Sequence, residues 1–305
     1  MCIDKVIGTV KKAVDSENTA KMCGMLFPYV ALKKRAVDMY AEEIEKSNLS
    51  MEAKIYCLSN AKKMFKRMKN QYEIAEIAIN NAVPETDFSE NSKVNEEWLD
   101  RFMDSAKFVS REDVQIIWGK ILAREFENPG ETPPNMIRIL AEITPELALT
   151  FKKVCSMTLF LSKIMNIEET SEALKTVFVP YNKNREYLSE QGIQFSQLKE
   201  LETLGLLRFE TVAGYVLTFS ENNVLMLIND QLKIVSGYKT NQFPIGNIML
   251  TEAGKVLSEV IPTEKMPGYY DMITKYFEFY DLKIEDQSQY KVELSDGDIK
   301  FVKDN

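Results

Sequence analysis

A long run without glycine or proline, beginning at Ser50, constrains the fold of this chain most strongly. Apolar residues recur along it at the spacing of one helical face. These residues are Ile55, Leu58, Ala61, Phe65, Met68 and Tyr72. Ser50 is a suitable N-cap, because its hydroxyl can accept a hydrogen bond from a backbone N–H of the first turn. The pattern predicts that residues 1–80 form long helices.

Short helices with clear start signals are predicted to follow. Asn95 is expected to cap one helix, and Ser110–Asp113 has the spacing of a capping box that opens the next. Met136–Ile143 predicts another short helix. Thr144 before a proline predicts the start of a further one, and the apolar stretch Thr150–Asn166 is expected to continue as helix and to join the two halves of the chain.

The pattern changes after Gln194, where a leucine-rich helix is predicted to end at Gly205. Short alternating segments then predict strands separated by turns. Asn247–Leu257 is expected to form a strand that enters a capped helix. The tail predicts an aromatic amphipathic helix and then a hairpin. The predicted strands are Leu206–Glu210, Tyr215–Ser220, Val224–Ile228, Leu232–Val235, Tyr290–Leu294 and Ile299–Val302.

Length and pattern together predict two domains and an α+β, mainly α fold. The chain has 305 residues, of which 45% are hydrophobic and 28% charged, an ordinary globular balance. A helical domain is expected at residues 1–166 and an α+β domain with a C-terminal helix and hairpin at residues 167–305. No apolar stretch approaches the roughly 18 residues that a membrane span needs, and no secretory pattern is present at the start. The protein is therefore expected to be cytoplasmic.

Charge is unevenly distributed along the chain, whose net charge is −8. Residues 1–80 carry 14 Lys and Arg against 10 Asp and Glu (+4), residues 81–150 carry 7 against 14 (−7), and the remainder carries 17 against 22 (−5). Because binding to DNA normally relies on a basic surface, the acidic balance makes DNA possible but disfavoured as a ligand.

Two basic and apolar segments are candidate contacts for a partner or for lipid. In the long helix the basic residues leave two interpretations open: a solvated face, which is favoured, or a patch for nucleic acid, anionic lipid or an acidic protein. The apolar segment Met22–Leu32 is expected to be a buried helix broken at Pro28, with an exposed binding stretch as the alternative. The candidate contact residues are Phe27, Leu32, Lys33, Lys34, Arg35, Lys62, Lys63, Lys66 and Arg67.

Most enzyme chemistries lack their residues in this sequence. The chain has no histidine, which excludes a Ser-His-Asp triad, a Cys-His pair and imidazole-ligated zinc. The four cysteines have no paired spacing, and no phosphate-binding glycine loop occurs. Clustered carboxylates could hold magnesium, although a solvated acidic helix face is the favoured interpretation. These carboxylates are Glu96, Glu97, Asp100, Asp104, Glu125 and Glu127. No cofactor or catalytic residue is predicted.

Residues 20–155 resemble a bacterial family of unknown function. Its hallmark is a Trp-x-x-Ile-Leu-Ala-x-Glu helix followed by Pro-Gly, which this chain carries from Trp118 to Gly130. Pro133-Pro134 departs from the helix start that follows in the family. The resemblance implies a helical domain without an established activity, in arrangements similar to bacterial phage-defence components. From spacing, five motif residues are expected to pack in the core, namely Trp98, Phe102, Trp118, Ile121 and Leu122. Glu125 completes the set of motif core residues.

The leucine-rich helix, the strands and the Leu-Thr-x-x-Gly-x-x-Leu helix resemble a winged-helix domain with extra strands. Winged helices often bind DNA through the helix before the wing, whose exposed positions here include Ser196, Lys199 and Thr203. Glu200 and Glu202 lie among them and would repel phosphates.

The function expected from the sequence is therefore non-enzymatic. An interaction, sensor or scaffold protein that associates with itself or with a protein partner comes first, with phage defence as a context implied by resemblance only. The alternatives are a winged-helix DNA-binding regulator and, less favoured, a membrane-surface effector or an acid-only metal-dependent nuclease. No small-molecule substrate is evident.

Overall fold

The structure is a computed structural model that describes residues 22, 24–26, 29, 34–82, 94–163, 174–218, 223–228, 231–236, 242–286, 290–295 and 298–303. The chain divides into two compact units, Met1–Ala141 and Glu142–Asn305. The fold is α+β and mainly helical, which confirms the predicted class. The division lies earlier than residue 166, because the helix that follows residue 144 packs on elements of the second unit.

The described part of the first unit contains helices only. They are α1 (Lys34–Lys46), α2 (Met51–Asn81), α3 (Glu96–Ala106), α4 (Glu112–Glu127) and α5 (Met136–Glu142), which ends at the division. The 31 residues of α2 extend over about 46 Å at the usual rise per residue. The prediction of a long helix from Ser50 is confirmed, and the Ser50 side chain accepts a hydrogen bond from the Ala53 N–H.

The two halves of α2 have different surroundings. Its C-terminal half buries Ile74, Ala75, Ala78 and Ile79 and packs against α4. Gly119 of α4 permits this close approach, since a Cβ there would overlap the Ile77 side chain. The N-terminal half contacts α1 and, of its described side chains, buries Ala61 alone. The helix is therefore a core element at one end and a surface element at the other.

Local start signals correctly predicted several helix starts. The Asn95 side chain accepts a hydrogen bond from Trp98 N–H at 3.0 Å, and Thr144 caps the helix that begins at Pro145. The capping box predicted at Ser110 is wrong. The helix begins after Arg111, whose guanidinium binds both oxygens of Asp113, so that this carboxylate is engaged with the arginine.

The described part of the second unit contains five helices and eleven strands. The helices are α6 (Pro145–Ser156), α7 (Arg185–Glu190), α8 (Phe195–Leu204), α9 (Glu252–Val260) and α10 (Tyr269–Phe279), with a 3₁₀ turn at Tyr181–Lys183. The strands are β1 (Thr158–Lys163), β2 (Leu174–Val177), β3 (Leu207–Phe209), β4 (Tyr215–Thr218), β5 (Asn223–Ile228), β6 (Gln231–Ser236), β7 (Gln242–Gly246), β8 (Ile248–Leu250), β9 (Lys283–Asp286), β10 (Tyr290–Ser295) and β11 (Asp298–Lys303).

All strand pairs between these elements are antiparallel. Five strands form one sheet in the order β2-β1-β5-β6-β9, and β3–β8, β4–β7 and β10–β11 form separate pairs. The register of the large sheet places Leu161 opposite Leu174 on one side and Met226 on the other. The predicted strands of the second half are confirmed in outline.

One prediction in this unit is wrong. The stretch Thr150–Asn166 is not a continuous helix, because α6 ends at Ser156 and β1 begins at Thr158. Leu159 and Leu161 are buried with Phe160 between them only half-buried, which is the alternation of a strand. Pairing on both sides with β2 and β5 stabilises the extended conformation.

Two glycines define the helix pair α7–α8. Gly192 lies between the helices at a φ of 70°, and Gly205 ends α8 at a φ of 89°, conformations that favour glycine. The Thr251 hydroxyl donates to the Gly205 carbonyl at 2.6 Å and accepts from the Gly254 N–H at the start of α9. A Cβ on Gly254 would overlap the Leu206 carbonyl oxygen. The Leu-Thr-x-x-Gly pattern therefore fastens α9 to the end of α8.

None of the helices in the described part of the chain is long and apolar enough to cross a membrane.

Candidate functional site

One candidate surface is the stretch of α2 over residues 53–69, here called the basic arm. It carries six cationic side chains and no acidic residue. These are Lys54, Lys62, Lys63, Lys66, Arg67 and Lys69. Because a helix turns through 100° per residue, charges so distributed occupy most of its solvent-facing circumference. The arm is a concentrated positive surface on a chain of net charge −8.

Three of these cations have partners at the ends of the arm. Lys54 donates to the carbonyl of Glu45 at the end of α1, and Lys69 forms an ion pair with Glu73 at 3.3 Å. The Arg67 guanidinium lies over the ring of Phe108. Lys62, Lys63 and Lys66 are exposed and form no ion pair with any residue in the described ranges. These three charges are therefore free to meet an anionic surface.

Large apolar side chains are exposed on the same helix. Ile55 is 61% exposed and Tyr56 is 69% exposed, and Met51, Met64 and nearby Leu49 also face solvent. The sequence pattern had placed Ile55 on the buried face of the helix, but the structure leaves it exposed. An exposed group of apolar side chains among polar ones is typical of a protein contact surface.

Phe108 extends this surface beyond the arm. It follows α3, is 64% exposed, and lies between Arg67 at 5.2 Å and the Lys107 ammonium at 5.1 Å from the ring centre. The end of α3 is attached to α2, since Asn70 donates to the Lys107 carbonyl and Gln71 to the Met103 carbonyl. The sequence did not single out Phe108, because its contact with Arg67 depends on packing between distant helices.

The second predicted contact segment is only partly described. Phe27, Leu32 and Lys33 lie outside the described residues, and Lys34 and Arg35 lie in the first turn of α1 with side chains that are not described. Met22 and Leu26 are buried. Their burial agrees with the expectation that this apolar segment belongs to the core, while the role of its basic neighbours stays a prediction.

The tryptophan motif forms part of the core of the first unit. Trp98 stacks on Phe102 at a centroid distance of 4.9 Å, and Phe102 contacts Trp118 at 4.8 Å. Phe102, Trp118, Ile121 and Leu122 are buried, and Trp98 is half-buried. The indole N–H groups of both tryptophans are buried without a hydrogen-bond partner. The residues expected to pack together do so.

Glu125 has a structural role in the same motif. Its carboxylate is buried and accepts hydrogen bonds from the Gly130 N–H at 2.8 Å and the Thr132 N–H at 3.2 Å. Gly130 has a φ of 88°, which glycine adopts without strain. The Glu…Pro-Gly spacing therefore closes the loop after α4, and both carboxylate oxygens are occupied by protein donors.

Three of the four acidic residues of α3 are also engaged with neighbours. Glu97 pairs with Arg101, and Asp104 pairs with Lys107. Asp100 accepts a hydrogen bond from the Tyr29 hydroxyl at 2.8 Å. Burial and this hydrogen bond raise the pKa of Tyr29 to about 12, so the hydroxyl remains a proton donor at neutral pH. Among the described residues no cluster of acidic or cysteine side chains has the geometry of a metal site.

Cys155 is protected from reaction by its burial. Cys155 is buried in α6, and desolvation raises the pKa of its thiol to about 12. Because the thiolate is the reactive form, this residue is a poor nucleophile at neutral pH.

The exposed face of α8 does not present a positive surface. Lys199 pairs with Glu202 at 2.8 Å and lies over the ring of Phe209, while the Thr203 hydroxyl donates to the Lys199 carbonyl. Desolvation opposes ionisation of Glu202, but its hydrogen bonds with Lys199 and the Phe209 N–H lower its pKa overall. Ser196 is exposed. Lys199, the cationic member of the three predicted contact positions, is therefore already paired with a carboxylate.

A family model described as "Protein of unknown function (DUF2806)" matches residues 59–274. The chain belongs to this family. The match covers well over half of the DUF2806 protein and extends over elements of both units, from within α2 to within α10. It therefore includes the tryptophan motif, Glu125 and the free lysines of the arm.

Two further comparisons found nothing. No curated protein and no solved structure matches the DUF2806 chain.

Proposed function

We propose that this DUF2806 protein is a non-enzymatic interaction protein, a scaffold or sensor, that binds an acidic protein surface through the basic arm. The observation that carries the proposal is the group of free lysines, Lys62, Lys63 and Lys66, beside exposed Tyr56 and Met64. Complementary charge accelerates and orients association, and apolar side chains at the centre of a contact provide affinity.

A protein fits this surface better than nucleic acid does. The phosphate backbone of a duplex would engage the lysines, but it offers no apolar contact to Ile55 and Met64. The rest of the chain is acidic and would repel a long polyanion.

A lipid surface is also a poorer match. A helix that lies in a membrane interface needs an apolar face without charges. Lys62 and Lys66 follow Ile55 by seven and eleven residues and share its helical face, so the apolar side chain and the ammonium groups would enter the membrane together.

The partner surface has to be acidic. Two arms placed side by side around a two-fold axis would bring like charges together, which disfavours a symmetric arm–arm dimer. An acidic surface on another protein, or on the acidic part of a second copy, satisfies the same chemistry. The phage-defence context rests only on the similarity of related domain arrangements to bacterial phage-defence components, and on no contact in the fold.

The proposal is tested by reversing the free charges. The triple variant Lys62→Glu, Lys63→Glu, Lys66→Glu is compared with wild type for the protein partner recovered from lysates of phage-infected and uninfected cells, and for self-association by light scattering. The matched control, Lys175→Glu, Lys255→Glu, Lys275→Glu, makes the same change in net charge in the second unit. We expect the arm variant to lose about tenfold or more of the complex and the control to keep it.

Two results would contradict the proposal. In the first, the wild-type protein is a monomer and recovers no protein partner from either lysate. In the second, the arm variant forms the complex as fully as wild type does. Unchanged tryptophan fluorescence in the arm variant shows that the first unit is still folded, because both tryptophans of the chain lie in that unit.

A DNA-binding regulator is the second candidate, and the arrangement of the second unit favours it. Helix α7, the turn at Gly192, helix α8, the β3–β8 pair and helix α9 follow the order of a winged helix whose wing is enlarged by β4–β7. The paired Lys199 and the exposed Glu200 argue against DNA on α8 itself. We expect no salt-dependent binding of duplex DNA, and steep salt-dependent binding lost in Lys199→Ala would favour the regulator instead.

A further inference from the structure

A second exposed surface lies in the second unit and is independent of the basic arm. It consists of three aromatic and two cationic side chains around the 3₁₀ turn, here called the aromatic platform. Its members are Tyr181, Lys183, Arg185, Phe195 and Phe279. Phe195 is 47% exposed and Phe279 is 60% exposed. The platform therefore offers apolar area beside positive charge.

One side of the platform is held by stacked rings. Phe195 at the start of α8 contacts Tyr181 at a centroid distance of 6.0 Å and Phe209 at 5.5 Å, and Tyr181 contacts Phe209 at 5.0 Å. Phe209 is buried in the β3–β8 pair. Because Phe195 rests on a buried ring, it has little rotamer freedom left to lose when a ligand binds.

The other side is held in the same way. The Lys183 ammonium lies 3.8 Å from the ring centre of Phe279. Phe279 contacts Tyr280 edge to face, and Tyr280 contacts Tyr276, which is buried. The exposed ring and the cation above it are thereby anchored to the core of the unit.

The turn that connects the two sides is itself tethered. The Asn182 N–H donates to the side chain of Asn247 at 3.1 Å, and the Asn182 amide donates to the Thr211 carbonyl at 3.0 Å. Asn247 is buried and donates to the Glu210 carbonyl. Tyr181 and Lys183, which flank Asn182, are therefore held in fixed positions.

The two cations of the platform are available to a ligand. Lys183 and Arg185 are exposed and form no ion pair within the described ranges, and each instead lies against an aromatic ring. A cation held over a ring keeps its N–H donors free for an anion. The platform can therefore bind a carboxylate beside an apolar side chain.

We propose that the aromatic platform binds a short acidic peptide segment, whose carboxylates contact Lys183 and Arg185 and whose aromatic or aliphatic side chains contact Phe195 and Phe279. A single-stranded nucleic acid would also stack on exposed rings, but it needs a row of cations along its backbone. Here the two cations are followed by Glu186 and Glu190 on α7, which are exposed and repel successive phosphates. A ligand whose negative charge is confined to its carboxylates can contact the two cations without meeting these glutamates.

The experiment selects random displayed peptides against the full-length protein and measures the enriched peptides by fluorescence anisotropy. The variants Phe195→Ala, Phe279→Ala and Lys183→Ala are compared with Lys183→Arg, which keeps the charge. Val216→Ala and Lys255→Ala are controls that remove exposed side chains outside the platform. The arm variant Lys62→Glu, Lys63→Glu, Lys66→Glu separates this proposal from the proposed function.

We expect enriched peptides that combine acidic with aromatic or aliphatic residues. Each platform alanine variant should weaken their binding about tenfold, and Lys183→Arg, the controls and the arm variant should bind as wild type does. Peptides without acidic residues, peptides whose binding survives all three platform variants, no enrichment at all, or binding of oligo-dT in place of peptides would overturn the proposal. Peptides whose binding depends on the arm alone would support the proposed function while overturning this one.

Discussion

Replacement of Glu125 by alanine is predicted to destabilise the first unit by about 3 kcal/mol. The change removes a buried carboxylate that accepts two backbone N–H donors. An unpaired buried donor costs about 1–3 kcal/mol, and this full penalty falls on Thr132, which is 3% exposed. Gly130 is exposed, so water can replace part of its lost hydrogen bond. Loss of the buried side-chain stem accounts for the remainder.

Glutamine at the same position is expected to cost about half as much. Its carbonyl oxygen still accepts one N–H, but its amide group faces the second donor instead of accepting from it. Glu97→Ala is the control, because this carboxylate is exposed and pairs with an exposed Arg101, an interaction worth less than about 1 kcal/mol.

Urea unfolding followed by tryptophan fluorescence measures the effect directly, since the two tryptophans of the chain both report on the first unit. A loss below about 0.5 kcal/mol for Glu125→Ala would refute the structural role of this carboxylate. Unchanged stability together with a lost biochemical activity would instead point to the acid-only nuclease alternative.

Three further predictions follow from the packing. Gly119→Ala should destabilise the first unit by about 1–3 kcal/mol in the same urea assay, because the new Cβ overlaps Ile77; a neutral effect would contradict the close α2–α4 contact. Thr251→Val should lower the hydrogen-exchange protection of α9 by about 2 kcal/mol, because the substitution removes the N-cap and the hydrogen bond to the Gly205 carbonyl. Unchanged amide exchange in α9 would contradict this prediction. The folded-state pKa of Cys155 is raised from 9.0 to about 12, so stability from this thiol is complete below pH 9 and is lost as pH rises toward 12. In that window the free energy of unfolding of wild type should therefore fall by about 1.4 kcal/mol per pH unit more than that of Cys155→Ala. Parallel plots of unfolding free energy against pH for the two proteins would contradict the raised pKa.

Helix starts were predictable because their causes are local. Ser50, Asn95 and Thr144 each accept a hydrogen bond from an N–H three residues later, and that spacing is visible in the sequence. The failure at Ser110 has an equally local cause, since Arg111 engages Asp113. Competition between two short-range partners is not resolved by the pattern alone.

Strand β1 was not predictable in the same way. Its apolar residues follow α6 almost directly, and an apolar run of this length fits a helix or a strand. What decides the conformation is pairing with β2 and β5, and β5 lies more than sixty residues away along the chain. A local sequence pattern contains no information about pairing between strands so far apart along the chain.

A candidate surface could be predicted from the sequence when its residues are close together along the chain. The lysines of the arm lie close together along one helix and were found from the sequence. Phe108 was missed because its contact with Arg67 arises from tertiary packing. The aromatic platform was missed entirely, since Lys183, Phe195 and Phe279 come from separate elements and meet only in the folded unit.

Hydrogen exchange of the assembled protein tests the central claim most directly. The complex or self-assembly recovered in native conditions is compared with the dissociated chain, amide by amide. Docking on the basic arm predicts new protection within residues 53–69 and at Phe108, and no such protection in the triple lysine-to-glutamate variant. Protection confined to other elements, with the arm exchanging as it does in the dissociated protein, would contradict the account.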